Sequence, residues 1–87
     1  MSDNVKEICL KFDEILSNNP NFKLIVSRVC AFPHIDSYEV QDDDCSIISL
    51  YNGNTFIGSV IGSSLKFNRV TKLDVVGASY TIFLEVI

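Results

Sequence analysis

An Asn-Gly pair at positions 52–53, set between two β-prone runs, constrains this chain more than any other feature. Residues 46–61 read Ser-Ile-Ile-Ser-Leu-Tyr-Asn-Gly-Asn-Thr-Phe-Ile-Gly-Ser-Val-Ile. Asn52 and Gly53 both tolerate the positive φ of a type I′ turn, whose twist matches that of the strands it joins. With those two residues as the loop, Tyr51 faces Asn54, Leu50 faces Thr55, Ser49 faces Phe56 and Ile48 faces Ile57. Ile48, Leu50, Ile57 and Ile61 then share one face, and Ile47, Tyr51, Phe56 and Val60 share the other. Both faces are apolar, so both require cover.

The cleanest alternation lies further on. Leu65, Phe67, Leu73 and Val75 have odd parity, while Lys66, Asn68, Lys72 and Asp74 have even parity. This predicts a long strand over 65–76 with one core face and one wet face. Gly77-Ala78 suits a two-residue type II′ loop, which takes Gly first. That loop pairs Val75 with Tyr80 and Leu73 with Ile82, and extends the apolar row through Leu84 and Val86.

The chain begins with a helical pattern over 3–17. At 100° per residue, Val5, Ile8, Cys9, Phe12, Ile15 and Leu16 fall within an arc of roughly 120°. Leu10 alone sits on the polar face. Asn4 with Glu7 can form a capping box, with Ser2 and Asp3 as competing caps. Glu7 and Lys11 have the spacing of a favourable i,i+4 pair. Pro20 ends the helix by excluding the helical conformation at Asn19.

Residues 22–31 are β-rich, but neither parity is clean, so this strand is either covered on both sides or bulged. Phe32-Pro33-His34 breaks it. Residues 35–40 form a short strand, and Gln41 to Asp44 an acidic turn. The expected strands are therefore 22–31, 35–40, 45–51, 54–61, 65–76 and 79–87. The expected fold is α+β, with one N-terminal amphipathic helix packed on an antiparallel meander sheet of about five to six strands. Residues 1–87 are read as a single domain.

Composition narrows the functional classes. Hydrophobic residues make up 47% and charged residues 21%, which fits a folded domain rather than a disordered chain. A mean hydropathy of +0.26 is high for so small a chain and suggests apolar surface buried against a partner or a second copy. No basic leader precedes the first apolar residues, and no apolar run reaches the ~18 residues of a membrane span. A cytoplasmic location without membrane attachment is the expectation. Cys9, Cys30 and Cys45 are few and widely spaced, which points to reduced, mostly buried thiols rather than disulfides or a zinc site. A net charge of −4 and a pI near 4.6 disfavour a nucleic-acid partner bound through its phosphates.

Catalytic and metal constellations are equally sparse. Metal chemistry would have to draw on His34 and the nearby carboxylates, yet the alternating ligands and central Gly of a calcium loop are missing. His34 as a general base would need an orienting group and a nucleophile, and Cys30 and Cys45 sit in β-prone runs. Gly58 and Gly62 lack the Lys-Ser/Thr of a nucleotide loop. Gly58 marks instead a bulge or a close approach by another group. Lys66, Arg69 and Lys72, with Phe67 and Tyr80, could be drawn as a strip for single-stranded nucleic acid. Regular alternation opposes it, because Arg69 then faces away from Lys66 and Lys72.

No enzyme activity, cofactor or metal is therefore expected. The function expected is a small protein-binding module, an inhibitor or adaptor of a larger macromolecule, with self-association as one form of it. Chains of this size and composition are common among phage and mobile-element accessory proteins. The expected contact residues are Ile47, Tyr51, Phe56 and Val60. Two alternatives compete: Asp36, Glu39, Asp42, Asp43 and Asp44 as an acidic mimic of a phosphate backbone, and a small-ligand binder or sponge with a pocket between helix and sheet or at a dimer interface.

Overall fold

The computed structural model describes residues 2–27, 30–41, 43–74 and 78–87. Helix α1 spans Asp3–Leu16. Ser2 is its N-cap: the side-chain oxygen accepts from the Val5 amide at 3.3 Å, and Asp3 adds a carboxylate to the first turn. At the other end, Ser17 Oγ donates to the Glu14 carbonyl and Asn19 Nδ2 to the Ile15 carbonyl, satisfying acceptors that the last turn leaves open. Val5, Ile8 and Phe12 are buried, Ile15 and Leu16 pack at the margin of the core, and Leu10 is exposed, as the pattern predicts. Lys11 pairs with Glu14 at 3.6 Å rather than with Glu7, and its ammonium also lies 5.3 Å from the centre of the Phe67 ring.

Among the described residues, seven strands follow, in two sheets. They are β1 (Phe22–Val26), β2 (Cys30–Ile35), β3 (Ser37–Val40), β4 (Ile47–Asn52), β5 (Thr55–Ile61), β6 (Leu65–Asp74) and β7 (Ala78–Val86). A single 3₁₀ turn, Gly62–Ser64, separates β5 from β6. The first sheet has the order β2-β1-β7-β6, and the second β3-β4-β5.

The α+β class holds, but the single meander does not. The segment 22–31 is not one strand: it turns after Val26 and returns as β2. β1 then pairs in parallel with β7, Leu24 opposite Ile82 and Val26 opposite Leu84. Ser27 (φ 54°) continues this seam past the strand end, donating its amide to the Leu84 carbonyl and accepting from the Val86 amide through Oγ. Parallel neighbours require a long connection, and here everything between β1 and β7 provides it. Local turn chemistry carries no information about such a pairing.

Among the described residues, three one-residue bulges reset the register. In β2, Pro33 and His34 stand opposite the single residue Lys23, and His34 takes a φ of 55°. In β5, Ile57 is extra between Phe56 (opposite Tyr51) and Gly58 (opposite Leu50). In β6, Asn68 is extra between Phe67 (opposite Leu84) and Arg69 (opposite Phe83). Because strand side chains alternate, each insertion moves all later residues to the other face.

Several sequence expectations change accordingly. The hairpin loop is Gly53-Asn54, not Asn52-Gly53: Asn52 pairs with Thr55, and of the two loop residues only Gly53 has positive φ, at 60°. Past the β5 bulge, Val60 turns inward opposite Ile48 and is 9% exposed, while Ile61 turns outward and is 51% exposed. Past the β6 bulge, Val70 rather than Leu73 meets Ile82, and Leu73 lies opposite Ser79, 62% exposed. The predicted Gly77-Ala78 loop and the Val75–Tyr80 pair depend on residues outside those described.

Helix and sheets share one apolar cluster. Phe12 joins its parts, with its ring 4.8 Å from Phe22 of the first sheet and 5.1 Å, edge-on, from Tyr38 of the second. Phe22, Leu24, Ile35, Ile82 and Leu84 line the first sheet's inner face, and Ile48, Leu50 and Val60 close the core from the second. The Phe32 ring of β2 lies over Gly58 of β5, where a Cβ would come within 2.7 Å of it. Gly58 thus marks both a bulge and a close approach.

Gly62 is more confined. Its amide donates to the Ser46 carbonyl at 3.0 Å, and a Cβ there would stand 2.5 Å from that same backbone oxygen. Gly62→Ala is therefore expected to lower unfolding free energy by about 2 kcal/mol through overpacking against fixed backbone. Gly58→Ala, which meets a ring able to rotate away, should cost clearly less. Urea unfolding of the two variants measures the difference.

Candidate functional site

The outward face of the second sheet is built from alternate residues of β3, β4 and β5. Register places Ser37, Tyr51 and Phe56 in one row, Glu39, Ser49 and Ser59 in the next, and Ile47 with Ile61 in a third. Tyr51 and Phe56 meet at 5.8 Å in a T-shaped arrangement, and Phe56 is 57% exposed. The face has two apolar ends with a hydroxyl-rich centre, not the continuous apolar surface that an unbulged hairpin would carry. Ile47, Tyr51 and Phe56 lie where they are expected; Val60 belongs to the core, and Ile61 takes its place. Gly58 within a β-prone run was the available signal for Ile61, because a strand glycine often marks a bulge, beyond which parity reverses.

The tip of this hairpin is tethered. Both carboxylate oxygens of Asp36 accept from the Gly53 amide, at 2.9 and 3.0 Å, while the Asp36 amide donates to the Tyr51 carbonyl. Asn52 Nδ2 donates to the His34 carbonyl. These bonds hold Tyr51 and Phe56 on an ordered support. Beside them, Ser37, Tyr38, Glu39, Tyr51, Gly53 and Asn54 border an open groove of about 320 Å³.

The acidic residues are divided among different tasks. Asp36 holds the hairpin tip, and Asp43 Oδ1 accepts from the amides of Cys45 and Ser46, shaping the turn before β4. Glu39 and Asp44 are exposed, and Asp42 lies outside the described residues. Among the described residues, no group of three or more His, Cys, Asp or Glu side chains is placed to hold a metal ion.

The thiols differ from the expectation that most are buried: Cys30 and Cys45 are exposed, and Cys9 is half-buried. Burial pushes the Cys9 thiol up from its ordinary range, with a hydrogen bond from Tyr38 opposing and the Asp13 charge adding to the rise. A thiol so held is protonated at neutral pH and is a poor nucleophile. His34 and Cys30 lie at opposite ends of β2.

Tyr38 links the second sheet to the helix. Its hydroxyl donates to Asp13 Oδ1 at 2.7 Å, with the Cys9 carbonyl at 3.3 Å. Burial, reinforced by the hydrogen bond to Asp13, raises its pKa well above the usual tyrosine range. Comparison with models of known families, with curated proteins and with solved structures finds no match to this chain.

A raised folded-state value means that the Tyr38 contribution is complete below about pH 10, the unfolded value, and is lost as pH climbs through the folded one. Tyr38→Phe should cost about 1 kcal/mol at neutral pH. It should also make the decline of stability above about pH 10 shallower than in the unmodified protein. Urea midpoints measured across neutral and alkaline pH test both.

Proposed function

We propose that this chain is a non-enzymatic protein-binding module whose contact surface is the outward face of β3–β4–β5. One observation carries this reading. A paired Tyr51 and Phe56, the latter more than half exposed, stands on a hydrogen-bonded support on a face that points away from the core. Aromatic side chains held in place contribute much of the energy at protein interfaces, because they bury a large area at small entropic cost. Ile47 and Ile61 supply a second apolar contact, and Ser49, Ser59 and Glu39 lie between the two.

The occupant that fits is a larger protein offering an apolar socket for Phe56 and basic residues opposite Glu39. A symmetric pair of this same face would offer Glu39 no cationic residue among those described on it, so self-association is the weaker form. An inhibitor or adaptor, such as an accessory protein of a phage or mobile element, is the functional class consistent with a small binding surface of this kind. Nucleic-acid mimicry by the acidic residues has less support, since Asp36 and Asp43 already serve backbone amides.

Affinity capture from the native host, compared between the unmodified chain and Tyr51→Ser/Phe56→Ser, tests the proposal. A stoichiometric partner should be retained by the first and weakened at least 30-fold in the second, about 2 kcal/mol at the contact. The circular dichroism spectra should superimpose. A partner captured equally by both overturns the assignment, and a doubled mass in light scattering of the purified protein would make the second copy the occupant instead.

A further inference from the structure

The outer face of the first sheet has a different chemistry. Leu24, Ile82 and Leu84 point into the core, so Lys23, Ile25, Thr81 and Phe83 point away from it. The bulge at Asn68 alters what β6 adds to this face. On a regular strand Lys66 and Arg69 lie on opposite sides. Here Lys66 stands opposite Glu85 and Arg69 opposite Phe83, and both emerge on the outer side with Lys23. Lys72, opposite Tyr80, goes to the other face, and its ammonium lies 5.9 Å from that ring. Regular alternation thus misjudges both the basic residues and the aromatic: Phe83, not Phe67, belongs with them.

At the centre of the face the Arg69 guanidinium lies 4.3 Å from the centre of the Phe83 ring. A guanidinium that lies over an aromatic ring and is itself exposed leaves its outer side open, and a guanidinium plane accepts a stacked base. Exposed Lys23 and Lys66 flank it, with Thr71, Thr81 and Ser79 as hydroxyl donors on the same side. Glu85 also lies on this face, 3.4 Å from Lys66 across an exposed pair. The carboxylates of the helix and of the second sheet lie elsewhere, so the net charge of −4 conceals a basic side.

A cleft continues the track. Asn21, Lys23, Pro33, His34 and Ser79 border a cavity of about 210 Å³ at the end of the sheet where β1 and β7 begin. His34 reaches this position through the β2 bulge, in a left-handed conformation uncommon for a residue with a side chain. From Ser79 to Glu85 the face runs roughly 20 Å along β7, at about 3.3 Å per residue.

We propose that the outer face of β2-β1-β7-β6 binds single-stranded nucleic acid. Phosphates are held by Lys23, Arg69 and Lys66, one base stacks on the Arg69–Phe83 pair, and the cleft beside His34 takes a phosphate at one end. Single strands are favoured over duplex because the pair offers a plane only to an unpaired base, while the few cations are too sparse for duplex-wide charge neutralisation. This face is separate from the protein-binding surface proposed above, and either can stand without the other.

Fluorescence anisotropy with labelled DNA and RNA strands of about a dozen nucleotides, at low salt, tests this. Binding with a Kd on the order of 10⁻⁵ M is expected for at least one of the two, falling steeply with added salt and at least tenfold tighter than for the matching duplex. Arg69→Gln and Lys23→Gln, both at exposed positions, should each weaken it about fivefold and flatten the salt slope by about 0.7. Phe83→Leu should weaken it about tenfold. Lys6→Gln on the helix and Phe56→Ser on the second sheet should leave it unchanged. No binding at low salt, equal affinity for duplex, or equal losses in Lys6→Gln and Arg69→Gln would each overturn the assignment. Should Phe83→Leu fail to fold, the Arg69→Gln comparison alone decides.

Discussion

Strict alternation of side chains along a strand is the constraint on which the rest of this structure depends. One extra residue reverses every position beyond it, and this chain uses that device in β2, β5 and β6. The consequences are opposite in kind. At Ile57 the insertion improves the core, because Val60 is drawn in beside Ile48 and Leu50. At Asn68 it sacrifices the burial of Leu73 and gathers Lys66 and Arg69 on one side. At β6 the core relies on Leu65 and Phe67, which precede the bulge, and on Ile82 and Leu84 of the neighbouring β7, so the residues after Asn68 are released from packing.

Two small sheets, each apolar on its inner face, need a common buried surface to cover those faces. The helix supplies it. Phe12 touches an aromatic ring from each sheet, Val5 comes close to Gly62 between β5 and β6, and Tyr38 fastens β3 to Asp13. Phe32 over Gly58 closes the contact between the sheets directly. Helix and sheets thus enclose one cluster, and the outward faces of both sheets stay available.

Those two faces carry different chemistry because of how charge is spread along the chain. Five of the eleven acidic residues lie around β3 and the turn before β4 and four more in the helix, while Lys23, Lys66 and Arg69 come from segments far apart in sequence. Bulk quantities such as pI average over this separation. The parallel pairing of β1 with β7 brings Lys23 into the same surface as Phe83, and the β6 bulge adds Arg69.

Local signals were legible wherever the physics is local. The 3.6-residue period located the helix and its buried face, Pro20 and the neighbouring Asn residues located its end, and two β-prone runs around Gly53 located the β4–β5 hairpin. Tyr51, Phe56 and Ile47 could be placed on the outward face for the same reason. Only the tertiary structure decided the rest. The division of 22–31 into β1 and β2, the shift of the loop to Gly53-Asn54, and the exchange of Val60 for Ile61 follow from where the core accepts a side chain, which no short window contains. The β1–β7 pairing depends on ladder hydrogen bonds and on burial of Leu24 against Ile82, groups that meet only after the whole chain between them has folded.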